Sequence, residues 1–482
     1  MMAFHLQEVA LGMNTDTAVR EVETERVGFR RVFQHKMFTA VWAGAFISNI
    51  GNWMENSAQN WAVVSAVPND VARATFLSEI LNFADFAPAF FLVLIAGVIT
   101  DRVNLRKYLL WLQGLACFLG ALLAVVAYVG WASPWVVIWF TFAEGIVWAL
   151  NGPPWQTLVP HLVPRKELAA AIAANSAQFN LARLIGPFLA GMVIMRFGVA
   201  GAFAINAITF APVMFALWKL PPEADKRKRA THARGPLVKE VWSGLSYVRK
   251  HPGLRRLSIM LAAFTFLAAP VQGLLAVYVR EIMHGDSRMY GVMLGAIGLG
   301  ALLGALIIGK IPAYYPRHHL IPLAMSFDAC FIFAFTLSAV PWICFIMLVG
   351  TGVFWMLSIN SSNAAAQLLA GDENRGRIMS VILLCIQGFM PLGHLFASAL
   401  SHVMGPAWII RDMVCVLLVI AAVFVLRREP AIDAMEPRGM GLTWWEGLWE
   451  AFTAQSHRKV PSGVRTELAD ERTAVPEVPR NG

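Results

Sequence analysis

Several ionisable side chains stand inside otherwise apolar stretches of the sequence, chief among them Glu55, Asp85, Glu144 and Arg183. Such groups are costly in hydrocarbon, so they face a cavity or a partner and mark proton or substrate paths. Glu55 lies in "SNIGNWMENSAQNW", residues 48 to 61, where Asn49, Asn52, Glu55, Asn56, Gln59 and Asn60 fall within about 140° on a helix. That is one wet face, and a lone acid on it with no cation in its own span is suited to taking up and releasing a proton. Further along, Glu144, Trp148, Asn151 and Trp155 lie within about 60° of one another, as do Ser176, Asn180, Arg183 and Pro187. These faces are expected to line a cavity. Glu144 and Arg183 stand roughly 18 and 22 Å from the same ends of their helices, so the two are expected to meet. The pair either holds the helices together permanently or changes during a cycle, and Asp85, at similar depth, competes for Arg183. Glu79 is expected near the outer rim. In the second half the polar residues inside apolar stretches are Gln272, Asp328, Asn360, Asn363, Gln387 and His394, the last read as a buried histidine with one hydrogen bond.

The elements that must position these residues follow from composition. The chain has 482 residues, 57% hydrophobic and 14% charged, with mean hydropathy +0.58. That excludes an ordinary water-soluble globule and reads as an all-α polytopic membrane protein. A span needs about 20 apolar residues. Twelve spans are predicted, at 38 to 66, 71 to 99, 108 to 130, 134 to 156, 168 to 196, 199 to 219, 257 to 280, 288 to 311, 320 to 340, 341 to 367, 378 to 400 and 406 to 427. On this count the loops on the side of both termini carry Arg102, Arg106, Lys107, Arg165, Lys166, Lys310, Arg317, Arg375 and Arg377, whereas the opposite loops carry only Arg73, Arg196, Arg280, Arg288 and Arg411. Both termini are therefore expected in the cytoplasm.

The chain divides into a tail (1 to 37), six helices (38 to 220), a basic linker (221 to 256), six more helices (257 to 428) and a C-terminal tail (429 to 482). Much of the net charge of +9 belongs to the cytoplasmic side, including "KRKR" at 226 to 229. That run has no interleaved aromatics and abuts membrane spans, so no nucleic-acid partner is expected. The first 37 residues contain acids and no convincing signal-peptide cleavage site. All five cysteines (117, 330, 344, 385 and 415) fall in predicted spans, with no metal-ligand spacing and no disulfide expected. There is no P-loop, H-E-x-x-H or G-x-S-x-G, so no enzyme, cofactor or metal is expected. "GLGALLG" at 298 to 304 is a small-residue run suited to close helix packing.

One loop carries a family signal. "AGVITDRVNLRK" at 96 to 107 has the pattern G-x-x-x-D-R with a downstream Arg-Lys, and it resembles the signature loop of the major facilitator superfamily. The resemblance implies two pseudo-symmetric six-helix bundles with a substrate site between them and alternating access. Gly97, Asp101, Arg102 and Arg106 would then form a conformational latch at the cytoplasmic face. Asn104 stands where glycine is usual, a position where Asn can adopt the left-handed conformation. "RLIGPFLAG" at 183 to 191 resembles the glycine-proline motif of superfamily antiporters, with Gly186, Pro187 and Gly191 matching, while Ala190 and Gln178 depart from it.

"NGPPWQTLVPHLVPRKELAAAIAANS" at 151 to 176, "GLSYVRKHPGLRRL" at 244 to 257 and "RGRIMSVILLCIQGFMPLG" at 375 to 393 complete a set similar to the bacterial transmembrane secretion effector group, which includes the enterobactin exporter. The similarity runs from residue 30 to about 427. It implies proton-driven export of a small amphipathic or aromatic compound, a siderophore, drug or metabolite, across the inner membrane by a monomer. Proton-coupled uptake, lipid movement between leaflets, or a non-transporting sensor are the other readings. In the C-terminal tail, Trp445, Leu448, Trp449 and Phe452 make an apolar stripe expected to lie in the membrane interface or dock on the linker.

Overall fold

The computed structural model describes residues 29–221, 237–308, 311, 317–370 and 375–426. Every regular element among them is helical. A single turn, Phe29–Val32, precedes α1 (Lys36–Ser65), α2 (Val71–Arg102), α3 (Leu105–Tyr128), α4 (Pro134–Leu158) and α5 (Leu168–Lys219). After the linker come α6 (Leu237–Lys250), α7 (Pro252–Ala268), α8 (Pro270–Val277), α9 (Ser287–Ile308), α10 (Arg317–Phe335), α11 (Pro341–Leu369), α12 (Arg375–Gln387), α13 (Phe389–Leu400) and α14 (Pro406–Leu426). Nine stretches of the described residues are long and apolar enough to cross a membrane. α1, diluted by its amides, is not among them, and the apolar part of α10, His319–Phe335, is shorter.

Local chemistry sets most boundaries. Asp70 and Ser133 cap α2 and α4 by accepting the backbone N–H of Arg73 and Val136, and prolines open α4, α7, α8 and α11. α2 runs through Arg102 and leaves only Val103 and Asn104 before α3, so the signature stretch is mostly helix. Asn104 is not left-handed: at φ −70° and ψ 112° it caps α3, accepting Lys107 N–H at 2.9 Å. Residues 29 to 37, expected in a tail, are pinned, since Glu167 pairs with His35 at 2.7 Å and Arg31 at 3.4 Å. Part of the expected linker, 237 to 250, is helical and the next helix begins at Pro252. The "KRKR" run and the stripe at 445 to 452 lie outside the described residues.

The two spans expected at 168 to 196 and 199 to 219 follow one another without a loop as α5, which breaks at Gly198, whose φ of 69° suits glycine. In a straight helix Gly186 and Asn206 would be about 30 Å apart. Both nevertheless touch one turn of α1: a Cβ on Gly186 would lie 2.8 Å from the carbonyl oxygen of Ile50, and Asn206 bonds Glu55. The chain therefore doubles back at Gly198 into two arms that flank α1.

Packing sorts the helices. One buried core draws only on residues between Met54 and Phe203, another only on residues between Val248 and Leu417. A third joins Val64 and Ala74 to Leu275–Val279, Tyr290 and Leu348. Polar contacts that link the two halves gather toward the Gly198 end: Arg280 donates to the Val64 carbonyl, Ser287 to Gly191 at 3.3 Å and Ser398 to Phe76 at 3.2 Å. Small residues let α5 and α9 approach there, because a Cβ on Gly191 would sit 2.7 Å from the Ser287 carbonyl oxygen and one on Gly298 2.7 Å from the Leu184 Cα. The 298 to 304 run thus packs closely, as its small residues predict.

Candidate functional site

The acids and amides of the first half are held on α1, α2, α4 and the second arm of α5. On α1, residues 52, 55, 56, 59 and 60 advance by three and four, which keeps them near one stripe, but they reach in three directions. Glu55 accepts from the Asn206 amide on the second arm of α5. Asn56 donates to Asp85 Oδ2 on α2 at 2.9 Å, and Gln59 donates to Glu144 Oε2 on α4 at 2.6 Å. Asn60 turns to α2, where its carbonyl oxygen accepts from Asn82 at 2.9 Å. The expected wet face of α1 is a branching hub instead of a single wall.

α2 and α4 touch where their acids sit, since a Cβ on Gly145 would lie 2.5 Å from the Asp85 carbonyl oxygen. Gly120 of α3 leaves room for the Glu55 carboxyl, which a Cβ would approach to 3.3 Å. Glu144 lies within electrostatic reach of both Glu55 and Asp85. None of the three pairs with a cation among the described residues; each is held by one amide. Glu55 Oε1 and Glu144 Oε1 are buried with no hydrogen-bond partner. An ionised carboxylate so placed is costly, whereas a single donor leaves the second oxygen free to carry a proton.

Two sequence expectations fail here. Glu144 and Arg183 do not pair: Glu144 takes Gln59, while the Arg183 guanidinium lies 5.4 Å from the centre of the Trp53 ring. Nor does Asp85 take Arg183, since its partner is Asn56. Depth along a helix gave height but not the side each residue faces. Glu79, expected near the outer rim, is fully buried in the seam between the halves, 2.8 Å from His394 Nδ1 on α13. His394 does make the one expected bond, stacks on Phe86 and leaves Nε2 without a partner. Ser78 beside it donates to Gly273 at 2.7 Å, so α2 is stitched to both α8 and α13 of the other half.

The other expected residues are less engaged. Asn151 accepts from Gln113 at 3.4 Å, Asn180 bonds back to Ser176 in its own helix, Trp148 is exposed, and Asn52 makes no side-chain hydrogen bond among the described residues. Gly97, Asp101 and Arg102 fall in the last turns of α2, with the Asp101 and Arg102 side chains outside the described residues. Arg106 donates to the Leu217 carbonyl at 3.1 Å and to that of Trp218, binding the carbonyl end of α5 within its own half. Gly186 packs on α1 and Gly191 on α9, with Pro187 between them facing Gly291. Asn206 is not among the residues expected from sequence, although it is a lone amide in the apolar stretch "FAINAITFAP" at 203 to 212.

A family model described as transmembrane secretion effector matches residues 31–458. The chain belongs to that family. The secretion effector match continues past Arg428, where the similarity was expected to end. Among its relatives, the staphyloferrin A transporter of Staphylococcus aureus is 25% identical over 75% of this chain and 89% of its own length. Macrolide efflux protein A of Streptococcus pyogenes is 21% identical over 58% of this chain and 68% of its own. In fold, the chain resembles a solved D-xylose-proton symporter at TM-score 0.63 and 12% identity, over 83% of this chain and 98% of that one. This secretion effector protein is therefore a membrane transporter of the major facilitator type and not an enzyme.

Proposed function

We propose that the chain exports a small amphipathic or aromatic compound from the cytoplasm across the bacterial inner membrane by proton antiport and alternating access. In this reading α5 crosses twice, α1 and α10 join the other spans to make twelve crossings in two six-helix bundles, and both termini are cytoplasmic. The Gly198 end is then the outer end, shut by Arg280, Ser287, Ser398 and the Glu79–His394 pair. The names of the relatives, a siderophore transporter and a macrolide efflux protein, support small-molecule export.

The observation that carries the proton step is the trio Glu55, Asp85 and Glu144, the first buried and the others half-buried, with one amide apiece and no paired cation among the described residues. Like charges at such spacing oppose joint ionisation, so gain or loss of a proton at one member changes the cost at the next. Glu55 is the leading carrier, because its partner Asn206 rides on the second arm of α5 and its free oxygen abuts Gly120. The test is transport of a fluorescent aromatic dye in proteoliposomes under an imposed pH gradient. Glu55→Gln should cut gradient-driven transport about 100-fold while dye counterflow stays within a few-fold. Undiminished gradient dependence in that variant moves the proton site to Asp85 or Glu144, and equal dye accumulation in cells with and without the protein rules out export.

A further inference from the structure

Arg183, on the first arm of α5, has no acid to answer it among the described residues. Its guanidinium is permanently cationic, carries five donors and is half-buried deep within α5. Among the described residues it meets only the Trp53 ring, 5.4 Å away. The acids that would balance it are committed elsewhere, Glu55 to Asn206, Asp85 to Asn56 and Glu144 to Gln59. A cation at this depth is retained only where it finds an anion or a water-filled path.

Resting on the export reading above, we propose that Arg183 binds an anionic, carboxylate-like group of the transported molecule, so that the substrate is amphoteric and not a simple lipophilic cation. The planar fork of guanidinium matches two carboxylate oxygens, and the Trp53 ring beneath it, itself edge-on to Phe179 at 5.8 Å, holds the fork in place and offers an aromatic wall. Trp53 and Asn56 are one turn apart on α1, about 5 Å along the axis, so a molecule anchored on Arg183 reaches the Asn56–Asp85 pair. A donor group on its far side then competes with a proton at Asp85 or Glu144. Competition of that kind is what antiport requires. The anionic end fixes orientation, and the donor end supplies coupling.

Binding to the full chain in lipid nanodiscs tests this, read by fluorescence polarisation of an aminocoumarin carboxylate, its uncharged ethyl ester, and ethidium. The acid should bind at least about tenfold tighter than the ester, Arg183→Gln should erase the difference, and Arg183→Lys should keep the preference with weaker binding, both variants retaining the parent's unfolding midpoint. Should Arg183→Gln not fold, Arg183→Lys decides through loss of the two-point contact. Equal binding of acid and ester, or acid binding untouched by either substitution, overturns the proposal. So does transport of ethidium with no binding of the acid, an outcome that leaves export standing. No outward transport of any of the three compounds removes the export reading and this inference with it.

Discussion

The two halves of the molecule treat buried polarity in opposite ways. Besides Glu79 at the seam, the interior between Met54 and Phe203 carries three acids, each given a donor from a neighbouring helix, and a cation stacked on an aromatic ring. Between Val248 and Leu417 the buried polar residues are mainly hydroxyls, and the one buried acid among the described residues, Asp328, has neither carboxylate oxygen hydrogen-bonded. Among the described residues the buried hydroxyls of Ser358, Ser361 and Ser362 there likewise lack partners. A donor positioned for each acid is what a group needs if it is to exist in two protonation states, since an unbonded buried carboxylate is penalised by several kcal/mol. The first half is built to handle charge. The second is built to pack, and it contributes His394 to the seam.

The comparison breaks most decisively if the acids are exchanged in importance. Glu144→Gln should lower gradient-driven transport about 100-fold, whereas Asp328→Asn should leave its pH profile unchanged and shift the unfolding midpoint by only a few degrees, about 1 kcal/mol. A pH profile that moves with Asp328 and not with Glu144 would reverse the assignment of roles. A packing contrast comes next in size. Gly298 faces α5 across the seam and Gly304 faces α11 within the second half. Leucine at either should cost about 1–3 kcal/mol by overpacking, but only Gly298→Leu should also slow transport beyond what lost folded protein explains, as measured per folded molecule. The smallest effect belongs to Arg106, whose removal as Arg106→Ala should destabilise the first half by about 0.3–1 kcal/mol, read as earlier proteolysis near residue 219 with substrate affinity unchanged.

Much of this architecture can be read from sequence, because a helix that crosses hydrocarbon needs a long apolar run and little else. Even α1, too rich in amides to pass on hydropathy, is betrayed by the spacing of Asn49 through Asn60. What escapes is which neighbour each polar residue meets. Spacing places Gln59 and Asn56 near one stripe, but only the packing of α2 and α4 sends one to Glu144 and the other to Asp85. Height alone matches Arg183 to Glu144, but the guanidinium lies over Trp53 instead. Glu79 looked peripheral because its burial depends on α8 and α13 of the distant half. The helix over 237 to 250 was hidden by its low mean apolarity within a basic stretch.

The single-residue reversal at Gly198 bears on how force moves through the protein. Its first arm carries Arg183 and its second carries Asn206, and α1 is gripped between them through Trp53 and Glu55. With one residue at the bend there is no slack to absorb a tilt, so the arms behave as the jaws of tongs. Under the binding proposed above, a ligand held on Arg183 would load the first arm, and the second arm would connect that load to the hydrogen bond on Glu55.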